Sequence, residues 1–173
     1  NGKSKNILKK QEIKLRGIHN YENICAALAA TATIVDEKDQ IKAIKEFNGV
    51  EHRLEFVREI NGVKWYNDSA SSSPSRTIAG LNAYDEEIVL IAGGYDKNLD
   101  YDILGKYIVK KVKALVLIGN TAKKILDATT KEMEKQGVEL PICFCQTLED
   151  AVKAANIMTL ERQLTKHRDV IWI

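Results

Sequence analysis

The chain contains 173 residues, which is enough for one domain and part of another, and its 26 Lys and Arg against 24 Asp and Glu give a formal net charge of +2. No long run of one charge sign occurs, so a nucleic-acid or anionic-membrane surface is not indicated. With 45% apolar and 29% charged residues, no span of roughly 20 apolar residues and no apparent signal peptide, we expect a globular, cytoplasmic protein that binds small molecules.

The first part of the chain is predicted to contain one or two helices between residues 20 and 46. Asn20 is placed to cap the first of these helices, with Asn23 in its first turn. Its alanine-rich sequence provides a small-residue face for close packing, but the packing partner is not apparent in the chain. We therefore interpret residues 1–46 as the tail of a neighbouring domain and place a boundary near 47–49.

A β-hairpin is predicted to open the second domain, 47–173, because Asn61-Gly62 separates two apolar strands. The pair Ser73-Pro74 then supplies an N-cap and a first-turn proline for a helix. Residues 67–73 are therefore predicted to form a loop from strand to helix.

Strand and helix patterns alternate regularly from about residue 87 onward. Buried strands are predicted at 88–92, 114–119, 140–144 and 170–173, with helical patterns between them. This order predicts an α/β fold with a Rossmann-like, mostly parallel sheet and helices on both faces. The last strand is a candidate for an exposed edge.

The three cysteines do not form a disulfide framework. Cys143 and Cys145 alternate within an apolar run, so both are expected to be reduced and to face one side of a strand. His19, His52 and His167 are scattered along the chain, which leaves no second ligand pair at zinc spacing. No metal site is therefore predicted.

Polar residues follow two of the predicted strands. The sequence Asn67-Asp68-Ser69 ends a hairpin strand, and Gly93-Gly94-Tyr95-Asp96-Lys97 ends the next strand. Ligands collect at the carboxyl ends of parallel strands, glycines let the backbone approach a ligand, and a lysine can bind an anion. Each block alone is more typical of an ordinary polar loop.

Taken together and in order, these blocks resemble the later part of a Mur ligase. The four blocks that carry the resemblance are 17–27, 47–55, 67–69 and 93–97. The sequences His-Arg-Leu-Glu and Asn-Asp-Ser are similar to the branch of the family that adds D-glutamate to UDP-N-acetylmuramoyl-L-alanine. The resemblance extends from about residue 12 to the end of the chain and fades after about residue 120.

The resemblance implies an ATP-dependent amide ligase of peptidoglycan precursor synthesis that is monomeric at full length. A carboxylate is phosphorylated with the help of Mg²⁺, and the D-glutamate amine attacks the acyl phosphate. Residues 1–46 would end the central ATP-binding domain, and 47–173 would form an incomplete C-terminal Rossmann-like ligase domain. By motif, Asn23 would contact adenine, Arg53 the nucleotide and Asp68 the ribose hydroxyls, while Ser72 and Lys97 would bind the D-glutamate carboxylates.

The sequence also departs from the family pattern. The P-loop and most magnesium ligands of the family belong to upstream segments, and Ala70 stands where the family often has lysine. The loop that closes over D-glutamate in the family would follow Ile173. We therefore expect the 173-residue chain alone to be inactive. Two alternatives stay open: a non-catalytic nucleotide-binding Rossmann-like module, and a related ligase such as folylpolyglutamate synthase.

Overall fold

The computed structural model describes residues 5–161 and the backbone of 170–172. The chain divides into two compact units, Asn1–Val50 and Glu51–Ile173. The predicted boundary at 47–49 lies just before this division. The origin of the first unit in a neighbouring ATP-binding domain stays a prediction.

The first unit contains helices α1 (Ile18–Thr31) and α2 (Glu37–Glu46), and neither helix buries a residue within the described structure. Helix α1 begins after Gly17, whose φ is 89°. The predicted cap at Asn20 is therefore wrong: this residue lies inside the first turn, where its Nδ2 donates to the Arg16 carbonyl at 2.6 Å. Asn23 lies one turn further on than predicted and is exposed.

The second unit opens with the predicted hairpin of β1 (Glu55–Ile60) and β2 (Val63–Asn67). The two turn residues, Asn61 and Gly62, both have positive φ, at 53° and 77°. A type I′ turn needs this conformation at both positions, and Asn-Gly adopts it readily.

Four parallel strands complete the sheet: β3 (Ile88–Gly93), β4 (Val112–Ile118), β5 (Ile142–Cys145) and β6 (Val170–Trp172). The strand order is β1-β2-β6-β3-β4-β5, in which the hairpin pair is antiparallel and the other pairs of described strands are parallel. The expectation of an exposed edge for the last strand is therefore wrong, because β6 pairs with both β2 and β3. Ile173, the last residue of that predicted strand, lies outside the described residues.

Four helices follow the strands at positions that their sequences explain: α3 (Pro74–Leu81), α4 (Asp102–Lys111), α5 (Ala122–Gln136) and α6 (Leu148–Glu161). Helix α3 begins with its proline, and α5 ends at Gly137 in the left-handed conformation. Thr147 caps α6 by accepting a hydrogen bond from the Asp150 N–H at 3.1 Å. None of the helices in the described part of the chain has the length and apolar character needed to cross a membrane.

Alternating side chains of the central strands fill two separate cores. Ile88 and Leu90 of β3 pack into the cluster that contains residues of α3, α4 and α5. Val89 and Ile91 point the other way and pack with Ala151 and Ala155 of α6. Because helices cover both faces, the loops at the carboxyl edge of the sheet are the natural place for a ligand.

Candidate functional site

A cleft of about 470 Å³ lies at the carboxyl edge of the sheet, among the loops that follow β2, β3 and β4. Its polar wall carries four serine hydroxyls from residues 69–73 together with Thr77 and Thr121. Lys97 contributes an ammonium group to the same cleft. Hydroxyls and a lysine are donors that suit a carboxylate or phosphate ligand.

Glycines bring the loops after β3 and β4 into direct backbone contact. A Cβ atom on Gly93 would lie 1.6 Å from the carbonyl oxygen of Ile118, a distance that no side chain tolerates. The Gly94 N–H donates to the same carbonyl at 3.1 Å, and the Thr121 N–H donates to the Gly94 carbonyl at 3.2 Å. The two glycines therefore set the narrow floor of the cleft.

Asp96 organises the short loop that carries Lys97. Its Oδ1 accepts a hydrogen bond from the Asn98 N–H at 2.8 Å, and Asn98 has a φ of 55°. Its Oδ2 forms an ion pair with Lys124 Nζ on α5 at 2.7 Å. The hydrogen bond from Lys124 is the main cause that lowers the pKa of Asp96 below its ordinary value. The loop beside the lysine is thus tied to the neighbouring helix.

The turn before β1 is joined to the loop after β2 by several hydrogen bonds. The Ala70 N–H donates to the His52 carbonyl at 2.9 Å. Asn67 Nδ2 lies 2.8 Å from His52 Nδ1 and 3.3 Å from Glu55 Oε2. These contacts hold the turn in a conformation in which His52 has a φ of 64°.

The carboxylate of Asp68 lies inside this junction, and only 1% of the residue is exposed. Its Oδ1 accepts a hydrogen bond from the Leu54 N–H at 2.9 Å, and its Oδ2 accepts one from Ser71 Oγ at 2.7 Å. A Cβ on Gly80 would lie 2.8 Å from Oδ2, so α3 packs closely against the carboxylate. In this structure Asp68 orders the loop.

The structure brings Ser72 and Lys97 together in one cleft, as their proposed common ligand requires, and both residues are exposed. Arg53 is also exposed, on the turn before β1. Asp68 is next to the cleft loop but is buried. Asn23 belongs to the other compact unit.

Sequence reasoning did not assign roles to Asn67, Glu55, Asp96 or Thr121. The first three lie inside the sequence blocks that carried the family resemblance, so those blocks were the available signal. Thr121 lies outside them, and only the packing of β3 against β4 reveals that it lines the cleft.

A second cavity, of about 600 Å³, lies beside the hairpin and α6. Its wall includes the apolar side chains of Val57, Trp65 and Val152 together with His52 and Asn67, and none of the five residues that the family resemblance assigned to a ligand lines it. The cleft at the carboxyl edge is therefore the candidate site.

No group of three or more His, Cys, Asp or Glu side chains within the described residues is arranged to hold a metal ion. Cys143 and Cys145 are half-buried on β5, and burial is the main cause that raises the pKa of Cys143 to about 11. A thiol with such a pKa stays protonated near neutral pH and is a poor metal ligand.

The second unit matches the family described as Mur ligase, glutamate ligase domain, over residues 52–171. The chain is 54% identical over 151 residues to the UDP-N-acetylmuramoylalanine–D-glutamate ligase of Acetivibrio thermocellus, covering 86% of the chain and 32% of the relative. It is 46% identical over 167 residues to the enzyme of the same name from Clostridium botulinum, covering 96% and 35%. The chain thus spans about a third of the length of these relatives.

Solved structures show the same fold at much lower sequence identity. The UDP-N-acetylmuramate-alanine ligase of Thermotoga maritima superposes with a TM-score of 0.65 at 17% identity, covering 92% of this chain and 35% of that one. A folylpolyglutamate synthase of Mycobacterium tuberculosis gives 0.68 at 17% identity, covering 92% and 38%. At this identity the likeness concerns the fold alone.

Proposed function

Because the chain belongs to the Mur ligase family, we propose that it is the C-terminal part of the ATP-dependent ligase that adds D-glutamate to UDP-N-acetylmuramoyl-L-alanine. The two relatives that carry the name of this enzyme are 54% and 46% identical to the chain. The observation that carries the proposal is the presence of Ser72 and Lys97 in one cleft at the carboxyl edge of the sheet.

The task of this chain in the reaction is to hold the acidic amino acid. D-Glutamate has two carboxylates, and in our proposal the Lys97 ammonium pairs with one of them while the Ser72 hydroxyl donates to a carboxylate oxygen. The bound D-glutamate then presents its amine to the acyl phosphate of the muramoyl substrate. Attack on the acyl carbon gives a tetrahedral intermediate, whose nitrogen loses a proton to solvent and whose C–O bond to phosphate breaks, leaving inorganic phosphate and the new amide bond.

Within the second unit, the residues proposed to contact the nucleotide are Arg53 and Asp68. Arg53 is exposed and always charged, so it suits an ATP phosphate. The Asp68 oxygens already accept hydrogen bonds from Leu54 and Ser71, so a contact with ribose hydroxyls would be additional to its structural role. Asn23 lies in the first unit and is exposed on α1, and its proposed contact with adenine comes from the family resemblance.

ATP supplies the phosphoryl group, and Mg²⁺ neutralises charge on its phosphates when bound. The described residues contain no cluster of metal-ligating side chains that would fit the ion. In our proposal the ion is therefore held mainly by other parts of the full-length enzyme.

The test is Lys97→Ala in the full-length enzyme, with steady-state kinetics in which D-glutamate is varied at saturating ATP and muramoyl substrate. Loss of one partner of a partly desolvated charged pair costs about 2–5 kcal/mol, so the KM for D-glutamate should rise at least about 30-fold. The KM for ATP should change little. The matched control is Lys106→Ala, an exposed lysine on α4.

A D-glutamate KM within twofold of wild type for a well-folded Lys97 variant would refute the assignment. The same assay separates the alternatives. A non-catalytic module would release no phosphate with any amino acid, and a folylpolyglutamate synthase would use a folate acceptor in place of the muramoyl substrate. The 54% identity to the D-glutamate ligase favours the muramoyl substrate.

A further inference from the structure

Asn67, the last residue of β2, is 8% exposed and has a defined amide orientation. The backbone N–H of Ser69 can only donate, and it lies 3.0 Å from Asn67 Oδ1. The oxygen of the amide is thereby identified, so the NH₂ group is the one that lies 2.8 Å from His52 Nδ1.

This contact defines the protonation of the His52 ring. Because the Asn67 NH₂ donates, His52 Nδ1 must accept, and the proton of the neutral imidazole lies on Nε2. The competing arrangement is a charged ring paired with Glu55, whose Oε2 lies 3.7 Å from Nδ1. That oxygen already accepts hydrogen bonds from the His52 N–H at 2.8 Å and from Asn67 Nδ2 at 3.3 Å. The contact with Asn67 is therefore the shorter of the two that Nδ1 makes.

The backbone of the turn is held in a strained conformation around this ring. His52 and Leu54 have φ values of 64° and 47°, which non-glycine residues rarely adopt. The side chain of His52 is nevertheless 62% exposed, and its Nε2 makes no hydrogen bond to the described residues. Backbone strain of this kind persists where the surrounding structure fixes it, and strained residues are found more often at functional sites than elsewhere.

We propose that Asn67 is a positioning residue that selects one tautomer of the exposed, neutral His52 ring, in which Nδ1 accepts and Nε2–H is left to bind an acceptor atom of the nucleotide beside Arg53. The proposal rests on the proposed function only in naming the ligand as a nucleotide. The orientation of the ring and the tautomer of its neutral form follow from the contacts of Asn67.

The ring can be tested directly in the 173-residue chain, which contains three histidines. The protein is labelled with ¹⁵N-histidine and studied by two-bond ¹H–¹⁵N correlation at about pH 8, above the ordinary histidine pKa of about 6.5. We expect wild-type His52 to be a single tautomer protonated at Nε2. A mixture of tautomers, or a proton on Nδ1, would overturn the proposal without any variant.

The variant Asn67→Asp places an acceptor against Nδ1 and should reverse the tautomer of His52. His19, which lies in the first compact unit, is the internal reference. Asn82→Asp, at an exposed asparagine beside the end of α3, is the matched control and should leave His52 unchanged. An unaltered His52 tautomer in folded Asn67→Asp would also contradict the proposal.

Kinetics of the full-length enzyme then connect the ring to its ligand. Asn67→Asp should raise the KM for ATP on the order of tenfold, the loss expected for a hydrogen bond to a charged group, and leave the D-glutamate KM nearly unchanged. An unchanged ATP KM despite a reversed tautomer would refute the positioning role and leave the D-glutamate assignment intact. If Asn67→Asp raised the ATP KM while Lys97→Ala left the D-glutamate KM unchanged, the D-glutamate assignment would be refuted instead.

Discussion

Replacement of Asp68 by alanine tests whether the junction between the turn and the loop depends on a buried carboxylate. The residue is 1% exposed, and its two oxygens accept hydrogen bonds from Leu54 N–H at 2.9 Å and Ser71 Oγ at 2.7 Å. Asp68→Ala leaves the Leu54 N–H without its partner and removes the restraint on a residue whose φ is 47°. The expected result is therefore a loss of stability.

The magnitude follows from these two bonds. Hydrogen bonds to a charged group contribute about 1.5–3 kcal/mol each, and relief of the buried charge offsets part of the sum. We expect a net loss of about 3 kcal/mol in the free energy of unfolding. For a chain of this length, each kcal/mol lowers Tm by about 2–4 °C, so the variant should melt roughly 10 °C below wild type.

The assay is thermal unfolding of the 173-residue chain followed by circular dichroism. Asp85→Ala, at an exposed aspartate before β3, is the matched control and should stay within about 0.5 kcal/mol of wild type. A Tm of Asp68→Ala within about 1 °C of wild type would refute the structural reasoning. If the full-length variant then showed a selective rise in the KM for ATP, the ribose contact implied by the family would be its main role.

Three further variants or modifications test other parts of the structure. Gly93→Ala should either fail to fold or have a Tm at least about 10 °C lower than wild type, as measured by circular dichroism, because the new Cβ would lie 1.6 Å from a carbonyl oxygen of β4. A wild-type Tm would contradict this expectation. Because burial raises the pKa of Cys143 to about 11, we expect this thiol to be alkylated at about pH 8 far more slowly than the exposed thiol of Cys25, as measured by mass spectrometry. Equal alkylation rates would refute the burial of the Cys143 thiol. The pKa of Asp96 is lowered by Lys124, so the stabilisation from this pair is present above the ordinary carboxyl pKa of about 3.9 and is lost as the pH falls. Asp96→Asn should therefore reduce the acid dependence of Tm, and an unchanged dependence would show that the ion pair has no effect.

The elements that depend on local chemistry could be predicted from the sequence. The Asn61-Gly62 turn was recognisable because few other residue pairs adopt two consecutive positive φ values without strain. The helix end at Gly137 and the cap at Thr147 follow from equally local hydrogen bonds and backbone preferences. The common cleft of Ser72 and Lys97 was expected because both follow strands whose carboxyl ends meet at one edge.

Features that depend on distant parts of the chain could not be predicted. The pattern of residues 170–172 indicates a strand, but its place between β2 and β3 depends on pairing with partners about 80 and 100 residues earlier. The sequence did not reveal that Asp68 is buried, because the hydrogen bonds from Leu54 and Ser71 that accompany its burial depend on the fold. Polar residues are buried where the fold supplies such partners, and the partners here come from a different loop.

The loop between β2 and α3 is fixed at both ends, and this favours the proposed binding of a carboxylate by the exposed serine within it. At one end, Asn67 and Asp68 bond to the turn that carries Arg53; at the other end, Pro74 begins α3. Ser72 lies between these anchors, so little conformational freedom is left to lose when its hydroxyl meets a ligand. Because the same bonds hold the turn of Arg53, order at the proposed nucleotide edge and order at the proposed D-glutamate edge have a common structural origin. Because these bonds join the turn to the loop, we expect a ligand that stabilises the turn to stabilise the loop as well.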